Sequence, residues 1–281
     1  MSDAAVPDAK TVCDPSGPFD APVPLTGFAT AGSEGVPRLT PDELELYFNG
    51  VLGSDTAYTI YRAQRDTTSQ PFGPPLALTR LHTAAGEYDP TVTSDGLNLF
   101  FRSSLVATEG LHLYVSVRDS RFGEFGAPSE VANAHSPTVT DNDVQPFVTA
   151  DAQELWFSSN RAGGLGVYDI YRARSNGSSV STAAAVLELN TNAEDQLPTV
   201  SADRLTVYLA STRPTSKGGF DIWTAHRSTT QDGFPAPTQV SELNSTTTDY
   251  PGWLSADNCR LYFTSDRAGN LDIYVAIRHR R

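Results

Sequence analysis

The sequence Asp249-Tyr-Pro-Gly-Trp-Leu-Ser-Ala-Asp257-Asn-Cys-Arg-Leu-Tyr-Phe-Thr-Ser-Asp-Arg267-Ala-Gly-Asn-Leu-Asp272-Ile-Tyr274 is the last of five copies of one unit in a chain of 281 residues. A marker aspartate stands before the second strand of each copy, at Asp42, Asp95, Asp151, Asp203 and Asp257. The spacings of 53, 56, 52 and 54 residues indicate one supersecondary unit per copy.

Each copy consists of short apolar runs of strand length. A run such as Leu205-Thr-Val-Tyr-Leu209 follows the marker, and a turn then leads to a second run such as Ile222-Trp223. A segment of the form Phe-x-x-Pro-x-x-Val closes several copies, as in Phe234 to Val240. Four short strands in a unit of roughly 50 residues are typical of a β-propeller blade.

The two ends of the chain predict a closed ring. The fifth copy ends after Ile273-Tyr-Val-Ala-Ile277 without a closing segment, whereas Phe19-Asp-Ala-Pro22-Val-Pro-Leu25 stands near the N-terminus. We expect this N-terminal strand to become the outer strand of blade five, which leaves no open end of the ring. The predicted fold class is therefore all-β, a five-bladed β-propeller with four-stranded blades, closed by the N-terminal strand.

The chain is expected to form a single propeller domain at residues 15–281, after a flexible segment at residues 1–14. The blades are predicted at about 34–80, 87–132, 141–190, 193–244 and 247–279, with the closing strand at 19–25. The first 14 residues have neither a basic start nor an apolar core, so we expect no signal peptide and no transmembrane helix there. The same opening would also result from removal of a signal peptide and addition of Met.

Three copies share Ser-x-Arg, a turn that is glycine-rich in two of them, and Asp-Ile-Tyr or Asp-Ile-Trp. These are Ser159-Asn-Arg161 with Asp169-Ile-Tyr171, Ser211-Thr-Arg213 with Asp221-Ile-Trp223, and Ser265-Asp-Arg267 with Asp272-Ile-Tyr274. The pattern resembles the PD40 (WD40-like) propeller repeat of the TolB family over about residues 15 to 279. The resemblance implies the propeller fold but no single function, because such repeats serve as binding scaffolds, subunits of complexes and bodies of enzymes.

The two cysteines are predicted to lie at one end of blade five. Cys13 precedes the closing strand, and Cys259 lies in the turn between the first two strands of that blade. Because the first and third turns of a four-stranded meander lie at the same end, we predict a Cys13–Cys259 disulfide, with two free thiols as the alternative. A disulfide indicates an oxidising compartment, so we expect a periplasmic or secreted protein.

The formal net charge of −13 disfavours functions that require a basic protein surface. Nucleic acids and anionic membranes attract concentrated positive charge, so we expect neither nucleic-acid binding nor membrane insertion. The charge is compatible with a cationic ligand, a metal ion, or simply the solubility of a secreted protein. We expect the protein to be a monomer.

Candidate ligand-binding residues recur at the start of the innermost strands, which line the channel of a propeller. An acid in each copy is expected to form a ring at one mouth, suited to calcium or an amine-bearing ligand. Alternatively, each acid caps backbone amides where its strand begins. Neighbouring aromatic and charged groups suit a sugar or a peptide, unless the two large apolar ones belong to the core. The candidates are Glu34, Arg38, Glu87, Tyr88, Asp143, Phe147, Asp195, Asp249, Tyr250 and Trp253.

Catalytic templates are not found in the sequence. It contains no Gly-x-Ser-x-Gly, His-Glu-x-x-His, Walker or Cys-x-x-Cys motif, and we assign no catalytic residue. The five histidines occupy unlike positions in the repeat, so no histidine-ligated metal site is expected. The aspartates of the three Asp-Ile-Tyr or Asp-Ile-Trp elements are expected to pair with the Ser-x-Arg arginines of their own blades.

The function predicted from these patterns is a non-catalytic binding module of the cell envelope or exterior. Its glycan, peptide or protein partner would approach the channel mouth, and calcium is the one candidate cofactor. The alternative is a carbohydrate-active hydrolase or lyase that uses the mouth carboxylates, with or without a divalent cation. A structural subunit of an envelope assembly is a third interpretation.

Overall fold

The computed structural model describes residues 13–25, 32–53, 55, 57–81, 86–104, 109–176 and 179–278. In this part of the chain, twenty strands form five four-stranded antiparallel sheets, and the only helix is a single 3-10 turn at Thr79–Leu81. The predicted five-bladed propeller is thereby confirmed. No helix within the described ranges is long and apolar enough to cross a membrane.

Each blade is an antiparallel meander whose first strand is innermost. Blade one consists of β2 (Ser33–Leu39), β3 (Glu45–Val51), β4 (Thr59–Gln64) and β5 (Leu76–Ala77), and blade two of β6 (Glu87–Val92), β7 (Asn98–Ser103), β8 (His112–Val117) and β9 (Ser129–Glu130). Blade three consists of β10 (Asp143–Val148), β11 (Glu154–Ser159), β12 (Asp169–Arg174) and β13 (Ala184–Ala185). Blade four consists of β14 (Asp195–Val200), β15 (Thr206–Ser211), β16 (Asp221–His226) and β17 (Thr238–Gln239), and blade five of β18 (Asp249–Leu254), β19 (Arg260–Ser265), β20 (Asp272–Ile277) and β1 (Val23–Pro24).

The N-terminal strand closes the ring, as predicted. β1 pairs antiparallel with β20, so that Val23 lies opposite Val275. The predicted disulfide between Cys13 and Cys259 is present, with Cα atoms 6.0 Å apart, and fixes the closing segment to blade five. Residues 1–12, which make up most of the predicted flexible segment, lie outside the described residues.

In the second strand of a blade, consecutive side chains pack alternately against the blade on either side. Successive residues of a strand point to opposite faces of the sheet. In β11, Trp156 packs with Val207 of blade four, whereas Phe157 packs with Phe100 of blade two. Both aromatic side chains are fully buried. The runs of adjacent aromatic residues in the sequence therefore fill both interfaces of a blade.

A β-bulge bends the innermost strand of four blades directly before a proline. The residues at the bulge, Val36, Asp89, Gln145 and Leu197, have φ angles of 52°, 55°, 57° and 54°. Proline lacks the N–H that a continuous ladder requires, so the strand accommodates it at a bulge. In blade five the bulge lies at Gly252, where a Cβ atom would come within 2.5 Å of Pro37.

One backbone hydrogen bond recurs at every junction between blades. The N–H of the repeated acid donates to the carbonyl of the residue that precedes the third strand of the neighbouring blade. The five donor–acceptor pairs are Glu34–Leu271, Glu87–Tyr58, Asp143–Leu111, Asp195–Tyr168 and Asp249–Phe220, with N–O distances of 2.8, 3.2, 2.7, 2.9 and 2.7 Å. Because the first pair joins blade five to blade one, the ring is continuous.

Reduction of the disulfide should lower the stability of the whole ring. The two cysteines are 246 residues apart, so the bond restricts a long loop of the unfolded chain. The chain-entropy model gives a stabilisation of about 5 kcal/mol for a loop of this size, less any native strain. Urea unfolding with and without dithiothreitol measures it, with Cys13→Ser/Cys259→Ser as the control that reduction should not affect. Equal midpoints for the oxidised and reduced wild-type protein would contradict the prediction.

Candidate functional site

The repeated acid of blade four is an internal structural group. Asp195 is fully buried, and its carboxylate accepts hydrogen bonds from the backbone N–H and the hydroxyl of Thr191, at 2.6 and 2.8 Å. It also accepts one from the hydroxyl of Ser211 at 2.6 Å and pairs with Arg213. Four such bonds occupy the acceptor positions of a carboxylate. This arrangement corresponds to the capping role that the sequence analysis considered as the alternative.

The same contacts recur in blades three and five. Asp143 accepts from the N–H of Ser136 at 2.9 Å and pairs with Arg161. Asp249 accepts from the N–H of Ser245 at 2.6 Å and pairs with Arg267 at 2.6 Å. Each arginine also donates to a carbonyl of the segment that enters its blade; the acceptors are Ala134, Leu189 and Leu243, at 2.6, 2.9 and 2.5 Å.

The predicted partners of these arginines were wrong. The expected partner of Arg161 was Asp169, but the Asp169 carboxylate accepts the N–H groups of Leu165 and Gly166, at 2.8 and 2.9 Å. In blades one and two the repeated acids are Glu34 and Glu87, which are also buried and engaged within the protein. The five acids therefore join adjacent blades and do not form an open ring of carboxylates.

Arg38 lies inside the ring and faces the end of the channel where the innermost strands finish. Its side chain is buried, Nη1 donates to the carbonyl of Gly252, and the guanidinium lies 5.1 Å from the ring centroid of Phe147. Nε and Nη2 have no hydrogen-bond partner within the described ranges. Burial lowers the pKa of Arg38 to about 9, although the charge of Asp89 acts in the opposite direction.

Three candidate residues face the end of the channel where the innermost strands finish. Arg38, Phe147 and Trp253 line a cavity of about 40 Å³ there, together with Ala150 and Ala202. Phe147 is buried in a cluster with residues of blade four, and Trp253 packs against the cluster between blades one and five. These two aromatic residues contribute to the core, as the alternative interpretation expected.

The other end of the channel opens into a cleft of about 280 Å³, which we call the upper cleft. Its lining residues are Glu34, Gly35, Val36, Asn49, Tyr58, Tyr88, Asp89, Arg102, Gln145, Leu197, Tyr250, Thr264 and Leu271. Three of the ten candidates, Glu34, Tyr88 and Tyr250, are brought together here. Their innermost strands begin at this end, which explains the common location.

Paired aromatic rings contribute to the rim of the upper cleft. The ring centroids of Tyr58 and Tyr88 lie 5.0 Å apart, and those of Phe220 and Tyr250 lie 5.2 Å apart. All four side chains are half-buried. Burial raises the pKa of Tyr250 to about 12, with smaller contributions from nearby acids. Its hydroxyl is therefore protonated at neutral pH and can donate a hydrogen bond.

Ion pairs and hydrogen bonds fix the polar side chains of the upper cleft. Asp89 forms an ion pair with Arg102, and the Arg102 guanidinium lies 4.4 Å from the ring centroid of Tyr88. Asn49 Oδ1 accepts the N–H of Asp89 at 3.0 Å. The Gln145 amide donates to Gln196 Oε1 at 2.9 Å. The cleft thus combines half-buried tyrosine side chains with hydrogen-bonding groups in fixed orientations.

A periodic signal in the sequence could have revealed the residues that were missed. The residue directly before the third strand is aromatic or leucine in every blade, at Tyr58, Leu111, Tyr168, Phe220 and Leu271. In two blades, the ring of this residue packs at a tilted angle against the tyrosine that follows the repeated acid of the next blade. Alignment of the five copies at this position would therefore have predicted the aromatic rim.

Solved structures with a similar fold fall into two groups. TolB from Acinetobacter baumannii matches with a TM-score of 0.51 and 16% identity over 90% of this chain, which spans 57% of that structure. A thermostable family-43 glycoside hydrolase matches with a TM-score of 0.61 and 12% identity over 92% of this chain and 91% of its own. The α-L-arabinofuranosidase from Lactobacillus brevis gives 0.58 and 13%, over 87% and 90%.

These similarities concern the fold alone, since all the identities are low. No protein-family model and no curated protein sequence matches the chain. TolB-like and glycoside-hydrolase structures therefore share this ring architecture with the chain, and function must be argued from the site itself.

Asp195→Asn should destabilise the protein strongly. The substitution leaves Arg213 without its buried carboxylate partner, and breaking such a pair costs on the order of 3–5 kcal/mol. Urea unfolding measures the change. Glu188→Gln is the matched control, because Glu188 is exposed in the segment between β13 and β14 that leads to Asp195. A difference of under about 0.5 kcal/mol between the two variants, which is typical of surface substitutions, would contradict a structural role.

Arg38→Met should leave the free energy of unfolding unchanged or raise it. The substitution removes a buried charge with two unpartnered nitrogens while keeping most of its volume. Arg118→Met is the contrasting control, because Arg118 donates to Glu45 at 3.2 Å and to Tyr47 at 3.0 Å. That change should cost on the order of 1–3 kcal/mol, because it removes a buried donor to Glu45, although Arg121 and the Tyr47 hydroxyl remain as its partners. Equal losses in the two variants would show that Arg38 is stabilised by a bound anion or ordered water.

Proposed function

We propose that the protein is a non-catalytic binding module that takes a glycan in the upper cleft. The observation that carries the proposal is the two tilted aromatic pairs beside polar groups held in fixed positions by hydrogen bonds. Sugar rings present C–H faces that pack on aromatic side chains, and hydroxyls that need donors and acceptors. Tyr88 and Tyr250 supply the faces, and Asp89, Arg102 and Gln145 supply polar partners.

The state of the carboxylates favours binding over hydrolysis. Glycosidases use two carboxyl groups that flank the scissile bond, one of them protonated at the start of the reaction. In the described part of the upper cleft, Asp89 is neutralised by Arg102, and Glu34 is buried and engaged within the protein. The repeated aspartates of blades three, four and five form buried ion pairs with arginines and do not line the upper cleft. These groups are suited to orienting a ligand.

The proposed ligand class also agrees with the net charge and the size of the cleft. A neutral glycan carries no charge for the excess of acidic residues to repel. A cleft of about 280 Å³ suits one or two sugar residues at the end of a chain, rather than an extended protein surface. The ring is proposed to act as one unit over residues 15–281, as a monomer, in the periplasm or outside the cell. The disulfide supports an oxidising location.

Glycan binding should depend on the two tyrosines. Screening on a glycan array that includes xylo- and arabino-oligosaccharides identifies the probe, and calorimetry measures its affinity. Tyr88→Ala and Tyr250→Ala should each weaken binding about tenfold, because each removes a stacking surface worth about 1 kcal/mol or more. Phe122→Ala is the matched control, since Phe122 is 98% exposed and lies outside the cleft.

Two results would contradict the proposal. Unchanged affinity in both tyrosine variants would place the ligand elsewhere, and binding of peptides but no glycan on parallel arrays would change the ligand class. Release of reducing sugar from the bound glycan, lost in Asp89→Asn, would instead favour the hydrolase. A thermal melt of each variant shows whether it is folded at the temperature of the binding measurement, so that loss of binding is distinguished from loss of fold.

A further inference from the structure

His112, Glu130 and His135 converge on the outer side of blade two. His112 begins β8, Glu130 ends β9, and His135 lies in the segment that leads to blade three. Nδ1 of His112 lies 2.9 Å from Oε1 of Glu130, and Nδ1 of His135 contacts the same oxygen. One ligand atom from each residue lies within 4.8 Å of the others. The sequence predicted no histidine-ligated metal site, yet the fold brings two histidines together, with ring centroids 5.2 Å apart.

The hydrogen bonds of His112 leave Nδ1 directed at the carboxylate. Nε2 lies 3.3 Å from the carbonyl oxygen of Val139, which can only accept, so Nε2 carries a proton. In the neutral ring, Nδ1 then presents a lone pair to Glu130 Oε1, another acceptor. This tautomer directs a metal-binding lone pair toward the carboxylate, whereas a doubly protonated ring donates to Oε1 instead. A backbone carbonyl that fixes the far nitrogen is also the usual support of a metal-binding imidazole.

The three side chains differ in exposure, as a site with an entry path requires. The side chain of His112 is only 5% exposed, whereas those of Glu130 and His135 are 39% and 40% exposed. The coordinating side chain of His112 is thus fixed by the fold, and those of Glu130 and His135 approach the site from the solvent side. Glu109 is a further carboxylate nearby, 3.9 Å from His112 Nδ1. Open coordination positions on the solvent side can be filled by water.

We propose that His112, Glu130 and His135 bind a divalent transition-metal ion of the zinc type. Two imidazole nitrogens and one carboxylate oxygen form a donor set that zinc accepts at about 2.0–2.2 Å. Calcium and magnesium prefer sets made of oxygen alone, so they bind here weakly. The ion joins β8 and β9 to the segment before blade three. That segment also supplies the N–H of Ser136 to Asp143 and the carbonyl of Ala134 to Arg161.

Metal binding is tested on the full chain after dialysis against EDTA and removal of the chelator. Calorimetry with zinc chloride should give one ion per chain, and the melting temperature should rise with zinc, because only the native state holds the site. Cobalt(II) substitution should give visible d–d absorption characteristic of the nitrogen–oxygen set. Calcium chloride at the same concentration should produce neither effect.

His135→Ala and Glu130→Gln should each weaken zinc binding at least tenfold and remove the cobalt spectrum. Both side chains are partly exposed, so the variants should fold, whereas His112 is buried and is left unchanged. His226→Ala is the matched control, since His226 is an exposed histidine of blade four. Equal weakening in His226→Ala, or unchanged affinity in His135→Ala and Glu130→Gln, would overturn the proposal. Glycan binding is measured separately in EDTA, so the two proposals fail independently.

Discussion

Closure of the ring is the constraint on which the rest of this structure depends. A blade presents both faces to its neighbours, so five blades bury their aromatic faces only if the fifth contacts the first. The closing strand β1 completes blade five, the disulfide fixes its start, and the N–H of Glu34 donates to Leu271 across the last junction. These contacts join the two ends of the chain. The channel and both of its ends exist because the ring is complete.

Features that repeat in the blades and features that differ between them have separate roles. The buried Asp–Arg pairs of blades three, four and five occupy equivalent positions and join each blade to the segment before it. The residues that follow the repeated acids differ, as tyrosine, glutamine, valine or glycine. Those differences produce the upper cleft. A repeated charge therefore supports the fold here, whereas the departures from symmetry provide the groups that a ligand can recognise.

Blade two contributes residues to both proposed sites. Tyr88 and Asp89 of blade two face the upper cleft, while His112 and Glu130 of the same blade lie in its outer strands. The inner strand carries recognition groups because it lines the channel. The outer strands are short and leave side chains exposed, so a metal-binding group can form there without affecting the channel. The rigid four-stranded sheet holds both sets at fixed positions.

The sequence by itself determined the number of blades, the strand order, closure by residues 19–25 and the disulfide, because all of these follow from periodicity along the chain. It also identified Glu34, Tyr88 and Tyr250 as residues at one mouth. Only the tertiary structure decided that the arginines pair with Asp143, Asp195 and Asp249, and that Arg38 and Trp253 face the opposite end. The bulge in each innermost strand, before the proline in four blades and at Gly252 in blade five, redirects the following side chains, and the repeat does not encode that direction. His112 and His135 likewise meet only through the fold, since nothing in the repeat pattern relates a residue of β8 to one in the segment before blade three.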